Sequence, residues 1–269
     1  MSELSNSART FANTTGMDFG KTAADYGKHR LGFPEEMFAR LERLGVGLPG
    51  QRVLDLGTGT GTLARSLALR GCKVSGIDPA AAMMETAREL DRLAGVSIDY
   101  RVGKAEATGF ADGSFDVITA GQCWHWFDRA AAAAEAMRLL RPGGFLADCH
   151  YDWIPLPGNV VEATEKLIEK HNPAWSLGGG LGLHPYVTRD VGAAGFSAIE
   201  TFSFDDGAVY SHEAWRGRIR ASAGISATLT AEEVAAFDAE HAALLARDFP
   251  EDPLAAHHRC WVLTCRKPA

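Results

Sequence analysis

Residues 53–61 read VLDLGTGTG, an apolar, strand-like run that ends in a turn with glycine at every second position. Gly57, Gly59 and Gly61 occupy this turn. A glycine turn that joins a parallel strand to a helix allows a ligand to approach the backbone, because no side chain blocks it. Residues 62–70 then carry apolar side chains on one helical face. The stretch therefore predicts a strand, a ligand-binding turn and a helix.

An acidic residue follows the next strand. Residues 73–77 form a second strand-like run, and Asp78 comes at its end. A carboxylate roughly twenty residues after such a turn accepts hydrogen bonds from both hydroxyls of an adenosine ribose. A dinucleotide such as NAD is disfavoured, because its GxGxxG turn requires glycine where this chain has Thr62. Turn and acid together predict an adenosine-containing ligand.

Strand-like and helical segments alternate through the first 150 residues. Such alternation implies right-handed crossovers and a parallel sheet covered on both faces, which is a doubly wound, Rossmann-like α/β fold. Arg141-Pro142-Gly143-Gly144 breaks the last helix of this region. The predicted strands are residues 52–56, 73–77, 96–102, 115–120 and 145–149, and the predicted helices are residues 34–44, 62–70, 80–93 and 130–140.

The regular alternation ends after Tyr151. Helical patterns then cover residues 160–171, 211–221 and 230–248, and strand-like runs cover residues 199–204 and 260–265. We expect a helical lid inserted into the sheet. The predicted organisation is a flexible N-terminus (1–18), a ligand-binding core (19–152), two lid segments (153–185 and 211–250) and the remaining core strands (186–210 and 251–269).

Composition excludes several classes of protein. The 269 residues are 46% hydrophobic and 23% charged, as in an ordinary globular enzyme. The net charge of -7 disfavours a nucleic-acid partner, whose phosphates require basic residues. The five cysteines lack a zinc-type spacing, so we expect no metal. No apolar run approaches a membrane span and no signal-peptide pattern opens the chain, so we expect a cytoplasmic protein without a membrane partner.

Four stretches together resemble the class I S-adenosylmethionine-dependent methyltransferases: VLDLGTGTGTLA (53–64), VSGIDPAAAMMETA (74–87), GKAEATGFADGSFDVITAGQCWHWF (103–127) and RLLRPGGFL (138–146). The likeness covers roughly residues 20–150 and is greatest to bacterial small-molecule methyltransferases of the trans-aconitate and ubiquinone/menaquinone type. The resemblance implies S-adenosyl-L-methionine as the cofactor and a small molecule as the substrate.

The resemblance also implies which residues bind the cofactor. The turn would pack against its methionine part, and Asp78 would bind the ribose with Pro79 and Met83 close to adenine. The backbone at Ala105 or the carboxylate of Glu106 would recognise the adenine. Capping of the strand end is the alternative role for Asp55, core packing for Met83 and a surface position for Arg30. The implied cofactor-binding residues are Tyr26, Arg30, Asp55, Gly57, Thr58, Gly59, Asp78, Pro79, Met83, Ala105, Glu106, Gly121 and Gln122.

The segment after the fourth strand lies at the carboxyl edge of the sheet, where doubly wound folds bind their ligands. His125 is the leading candidate for a general base, because imidazole takes a proton near neutral pH. The alternative is a histidine that shapes the pocket. Trp124 and Trp126 are candidate substrate contacts, with core packing as the alternative. His150, after the fifth strand, is the second candidate for the base and a further candidate substrate contact.

Two other functions remain open. A protein that binds the adenosyl cofactor without methyl transfer, for regulation or other chemistry, would keep the same turn and acid. An NAD-linked oxidoreductase is disfavoured by Thr62. The sequence His171-Asn172-Pro173-Ala174-Trp175 faintly resembles a motif of nucleic-acid amino-methylases, but it lies in the insertion instead of after the fourth strand. The acceptor atom (O, N or C) and the oligomeric state have no signal in the sequence.

Overall fold

The computed structural model describes residues 32–269. Tyr26 and Arg30, and the N-terminal segment 1–18, lie outside the described residues, so their predicted roles stay predictions. None of the helices between residues 32 and 269 has both the length and the apolar character that a bilayer crossing requires.

A seven-stranded sheet with the order β3-β2-β1-β4-β5-β7-β6 organises the described part of the chain. Neighbouring strands among β1–β5 pair in parallel, while β7 runs antiparallel between β5 and β6. The predicted α/β, doubly wound Rossmann-like fold is confirmed. The strands are β1 (Arg52–Leu56), β2 (Lys73–Asp78), β3 (Asp99–Val102), β4 (Phe115–Gly121), β5 (Leu140–Trp153), β6 (Ser197–Tyr210) and β7 (Leu254–Arg266).

Several helices begin at residues that cap them. Asn159, Ser211 and Thr230 each accept a hydrogen bond from a backbone N–H of the first turn, and Thr230 forms a reciprocal capping box with Glu233. The helices are α1 (Glu35–Arg43), α2 (Thr62–Leu69), α3 (Ala81–Ala94), α4 (Arg129–Leu139), α5 (Val160–His171), α6 (Pro185–Ala193), α7 (His212–Arg220) and α8 (Ala231–Asp248). The helices predicted from periodicity therefore end within one or two residues of the observed ones.

The last three strands are longer than predicted. Leu140 pairs with Phe115 and Phe145 pairs with Val117, so residues 141–144 form a bulge inside β5 instead of preceding it. Strands β6 and β7 pair with each other from Ser197 to Tyr210. Their mutual hydrogen bonds extend both strands through polar residues, which no local apolar pattern marks.

Apolar helices cover both faces of the sheet. One face is covered by Met37 and Phe38 of α1 with Leu63 and Leu67 of α2, and the other by Ala132, Ala136 and Leu139 of α4 with Val187 and Val191 of α6. Helices α5, α7 and α8 pack on one another, and Trp215 and Phe237 are fully buried among them. The carboxyl ends of β1, β4 and β5 lie on the side of the molecule where the inserted helix α7 packs.

Candidate functional site

The turn after β1 requires glycine at three positions. Gly57, Gly59 and Gly61 have φ values of +60°, +53° and +75°, in the left-handed region where a Cβ is strained. The N–H of Thr58 donates to the carbonyl of Ile77 at 3.0 Å, which ties the turn to the end of β2. The turn therefore presents backbone instead of side chains at the edge of the sheet.

Asp78 links this turn to the next one. Its Oδ2 accepts from the N–H of Gly59 at 2.9 Å, and its Oδ1 accepts from the N–H of Ala80 at 2.8 Å. Burial raises the pKa of the Asp78 carboxyl, while these two donors oppose the rise. The carboxylate is fixed in orientation, and each oxygen keeps a further lone pair for a ligand hydroxyl.

Asp55 is a buried carboxyl group within β1, with an exposed fraction of 2%. The hydroxyl of Thr119 on the neighbouring strand donates to its Oδ1 at 2.7 Å. Burial raises the pKa of Asp55 to about 6, and the nearby charge of Asp78 adds to the rise. A cation placed beside this carboxyl would therefore strongly favour its ionised form.

The end of β4 has an unusual backbone. Gln122 adopts a φ of +62°, which is uncommon outside glycine and costs about 1 kcal/mol or more. Its N–H donates to the carbonyl of Cys149 at 2.9 Å, and its side-chain amide donates to the carbonyl of Tyr151. These two bonds to β5 hold Gln122 in the strained conformation and orient its amide at the sheet edge.

A first cavity opens at these strand ends. It has about 550 Å³ of empty volume, including its opening to solvent. It lies between the glycine turn and the inserted segments, and its lining includes Asp55, residues 57–59, Gly121, Gln122 and Arg218.

A second cavity adjoins the first. It has about 1160 Å³ of empty volume, again including its opening to solvent. Gln122 and Arg218 line both cavities, so ligands in the two would meet at these side chains. The remaining lining comes mainly from the inserted segments and includes Trp126, Trp153, Glu165, Trp175, His184 and Tyr186.

A family model described as a methyltransferase domain matches residues 54–147. The chain contains a class I S-adenosylmethionine-dependent methyltransferase domain. The matched range includes the glycine turn, Asp78 and the Gln122 loop, so the recognition made from the sequence and the predicted cofactor class are confirmed.

Curated relatives agree with this family. An uncharacterised methyltransferase of Mycobacterium tuberculosis (strain H37Rv) is 33% identical over 152 residues, covering 54% of this chain and 59% of that protein. A ubiquinone biosynthesis O-methyltransferase of Hahella chejuensis is 43% identical over 101 residues, covering 37% of this chain and 42% of that protein. The chain thus spans 59% or less of the length of these two relatives.

A solved structure has the same fold. Phosphoethanolamine N-methyltransferase 2 of Haemonchus contortus, in complex with S-adenosyl-L-methionine, superposes with a TM-score of 0.55. The identity is 21%, and the match covers 93% of this chain and 57% of that one. At this identity the likeness establishes the fold alone.

The strand-end groups of the methyltransferase domain fit this cofactor. Asp55, Gln122 and the carbonyl of Gly121 lie where an ammonium group in the first cavity would find acceptors. An ammonium would also stabilise the ionised form of Asp55, which burial otherwise disfavours. Each carboxylate oxygen of Asp78 accepts one bond from the protein and keeps a lone pair, which suits a pair of ribose hydroxyls. The donor set therefore suits a nucleoside that carries an amino acid.

The residues predicted to contact adenine differ in their exposure: some are buried in the core of the methyltransferase domain and others lie at its surface. Pro79 is exposed at the end of β2. Met83 has an exposed fraction of 4%, and a Cβ on Gly59 would lie 3.6 Å from its methyl carbon. Ala105 is buried in the core, and Glu106 accepts from the N–H of Asp128 at 2.9 Å, at the start of α4. Their adenine-binding roles stay predictions.

The residues predicted to contact the methyl acceptor differ in whether they reach the second cavity. His125 and Trp126 line the second cavity. Trp124, in contrast, is fully buried, and its indole N–H donates to Asp190 at 3.0 Å. The substrate contact predicted for Trp124 is therefore corrected to core packing, which was the stated alternative, because a side chain with no exposed surface cannot touch a ligand.

His150 also lies behind the cavity wall. It is fully buried, its Nε2 is 2.9 Å from the Asp148 carboxylate, and its ring stacks on His184 with centroids 3.6 Å apart. The substrate contact predicted for His150 is thus corrected to support of His184, which does line the second cavity.

Several lining residues had no signal in the sequence. His184 Nε2 lies 2.7 Å from Asp152 Oδ2. Burial alone would raise the pKa of Asp152, but the bond to His184 and the nearby His150 and His125 hold it well below its usual range. The position of Asp152 near the end of β5 was the one available hint. His184 and Arg218 belong to inserted segments without a recognisable motif.

A cluster of residue types that often bind metals lies at the wall of the second cavity. Ligand atoms of His150, Asp152 and His184 lie within 4.8 Å of one another. The two imidazole rings stack at an interplanar angle of 17°, so their nitrogens point side by side instead of converging on one point. The group as arranged suits hydrogen bonding better than metal ligation, and the prediction that no metal is used stays a prediction.

Proposed function

We propose that the protein transfers the methyl group of S-adenosylmethionine to a small molecule held in the second cavity. One observation carries this proposal: Gln122 and Arg218 line both cavities, so a cofactor in the first adjoins an acceptor in the second. A concave site of this kind suits a small molecule, and the net charge of -7 disfavours a nucleic-acid acceptor.

The strand ends position the cofactor in this proposal. The cofactor supplies a methyl group already activated by a positively charged sulfur. Asp78 holds the ribose, Asp55 and Gln122 hold the ammonium, and the glycine turn lets the ligand lie against the backbone. Since no covalent intermediate with the protein forms, catalysis consists mainly of aligning donor and acceptor and excluding water.

His125 is the proposed proton acceptor. Its ring lines the second cavity beside the Trp126 ring, with centroids 4.4 Å apart. In the chain, His125 comes three residues after Gln122, and two buried core residues separate them. An acceptor hydroxyl that must lose its proton would transfer it to the imidazole. A carboxylate acceptor would need no base, so His125 would then serve to position it.

The inserted helices form the proposed lid. Residues 153–185 and 211–250 contribute most of the lining of the second cavity. The proposed cofactor-binding core is residues 19–152, of which the structure describes residues 32–152. Helices α7 and α8 are joined by Arg216 and Arg220, which both bind Asp238. This arrangement supports a lid that selects the acceptor independently of cofactor binding.

A transfer assay with radiolabelled S-adenosylmethionine tests the proposal. The intact chain is incubated with a panel of hydroxylated, carboxylated and amino small molecules, and release of S-adenosylhomocysteine is followed. We expect release with at least one acceptor, and its loss when His184 and Trp175 in the second cavity are both substituted. Cofactor binding without release across the panel would favour the cofactor-binding alternative, and no cofactor binding would overturn the proposal altogether.

A further inference from the structure

The polar groups of the second cavity differ in whether the protein already satisfies them. Glu165 accepts from the indole N–H of Trp153 at 2.7 Å and from the N–H of Gly179 at 2.8 Å. Asp152 is bonded to His184 at 2.7 Å. Both carboxylates of the lining therefore have hydrogen-bond donors from the protein.

Arg218 is placed differently. Its guanidinium lies over the Trp153 ring, 4.7 Å from the centroid, and bonds to the hydroxyl of Tyr210. Among residues 32–269 it makes no salt bridge, whereas Arg216 and Arg220 of the same helix both pair with carboxylates. A guanidinium has five N–H donors, so Arg218 retains donors for a ligand in the cavity.

The ring beneath Arg218 is itself fixed. The hydrogen bond from Trp153 to Glu165 holds the indole in place, so the guanidinium is oriented before a ligand binds. Burial lowers the pKa of Arg218, while Tyr210 and Asp152 oppose this change. A partly desolvated guanidinium gains more from an anionic ligand than an exposed one does.

The aromatic walls indicate the rest of the ligand. Trp126, Trp153, Trp175 and Tyr186 line the second cavity. Trp175 is packed between two glycines: a Cβ on Gly178 would lie 2.9 Å from its ring, and a Cβ on Gly224 would lie 3.1 Å from it. Larger residues at these two positions would displace the indole from the lining.

We infer that the second cavity binds a planar, aromatic carboxylate, with Arg218 bonding the carboxylate and the tryptophans packing on the ring. The inference rests on the proposed function, since it assigns the acceptor class of the same site. It places the anionic group of the acceptor at the junction of the two cavities, where Arg218 lies.

The test compares 2-naphthoate with its neutral analogue 2-naphthamide by calorimetry on protein saturated with S-adenosylhomocysteine. We expect the carboxylate to bind about tenfold more tightly, as a charge-assisted hydrogen bond provides. Arg218→Gln should remove this preference. The affinity of this variant for S-adenosylhomocysteine is measured alongside, because Arg218 also lines the first cavity. Arg101→Gln is the matched control. The Arg101 guanidinium also stacks on an aromatic ring, 4.0 Å from the centroid of Phe110, but Arg101 belongs to strand β3 and lines neither of the two cavities.

Equal binding of the two probes to the wild type would overturn the inference. So would a preference that persists in Arg218→Gln, or a tenfold loss of S-adenosylhomocysteine affinity in that variant, which would assign Arg218 to the cofactor. Failure of the wild type to bind S-adenosylhomocysteine would instead contradict the proposed function, and the naphthoate titration would then be repeated without it. Thermal melts of each variant confirm folding.

Discussion

The two cavities meet at Gln122 and Arg218 but are built from different groups. The first is made largely of strand ends, with a glycine turn and the buried carboxyl of Asp55, which accepts a hydrogen bond from the neighbouring strand β4. The second is made of large aromatic and charged side chains on inserted helices and loops. Substitutions in the first cavity should therefore weaken cofactor binding and so affect every reaction of the protein. Those confined to the second should affect acceptor binding or turnover without changing cofactor affinity.

Gly57→Val should have the largest effect, because it strains the backbone of the glycine turn that lines the first cavity. Valine is strained at a φ of +60°, and its Cβ would lie 3.0 Å from both the Cys123 sulfur and the Phe127 ring. We expect the free energy of unfolding to fall by about 3 kcal/mol, with loss of S-adenosylhomocysteine binding. Urea denaturation and calorimetry measure both.

Gly143→Val is the matched control for this prediction. Gly143 has a φ of +73°, but nothing lies within 4 Å of a Cβ built there. It should lose only the cost of backbone strain and keep cofactor binding. Equal losses of stability in the two variants would mean that packing around the turn contributes nothing.

His125→Gln should lower kcat by about 100-fold for a hydroxyl acceptor, because the variant removes the proton acceptor without removing a hydrogen-bonding side chain. The KM for S-adenosylmethionine should not change. Steady-state kinetics on His184→Gln provide the comparison, since His184 is the other imidazole in the lining. A large loss in His184→Gln with full activity in His125→Gln would assign the base to His184.

Cofactor affinity should fall as the pH falls through the pKa of Asp55. Because burial raises that pKa to about 6, the carboxyl is ionised above this pH and can then pair with the ammonium as proposed, and it loses its charge below. We expect the affinity for S-adenosylhomocysteine to fall about tenfold for each pH unit below this value. Asp55→Asn should flatten most of this pH profile. A smaller pH dependence should remain, because burial also raises the pKa of Asp78, which acts in the same direction. A wild-type affinity independent of pH would contradict this role.

Trp175→Leu should have the smallest effect of this series, confined to the second cavity. Leucine keeps the site apolar but removes the ring that packs between Gly178 and Gly224. We expect 2-naphthoate and 2-naphthamide to lose about fivefold in affinity alike, as aromatic contacts of about 1 kcal/mol imply. Calorimetry should detect no change for S-adenosylhomocysteine. Weakened cofactor binding would mean that the two cavities are not independent.

The same contrast explains what could be predicted from the sequence. The glycine turn, Asp78 and the Gln122 loop lie at the ends of short apolar strands, and each follows from local spacing. The full lengths of β6 and β7 could not be predicted in this way, because their polar residues are held by pairing between strands that are distant along the chain.

The second cavity depends on contacts between segments far apart in sequence. Trp124 and Trp126 are two residues apart, yet one is a core side chain and the other lines the cavity, and only the packing of α4 and α6 decides which. Arg218 differs from Arg216 and Arg220 only in its position on α7 relative to Asp238. No local pattern distinguishes such residues.

The most direct test titrates S-adenosylhomocysteine into the wild type, Asp78→Asn and Asp99→Asn. The first substitution keeps one oxygen acceptor and the size of the side chain, while Asp99 is an exposed carboxylate on the adjacent strand β3, bonded to Arg101. We expect Asp78→Asn to lose at least about tenfold in affinity and Asp99→Asn to match the wild type. Unchanged affinity in a correctly folded Asp78→Asn protein would contradict the assignment of the ribose to this carboxylate.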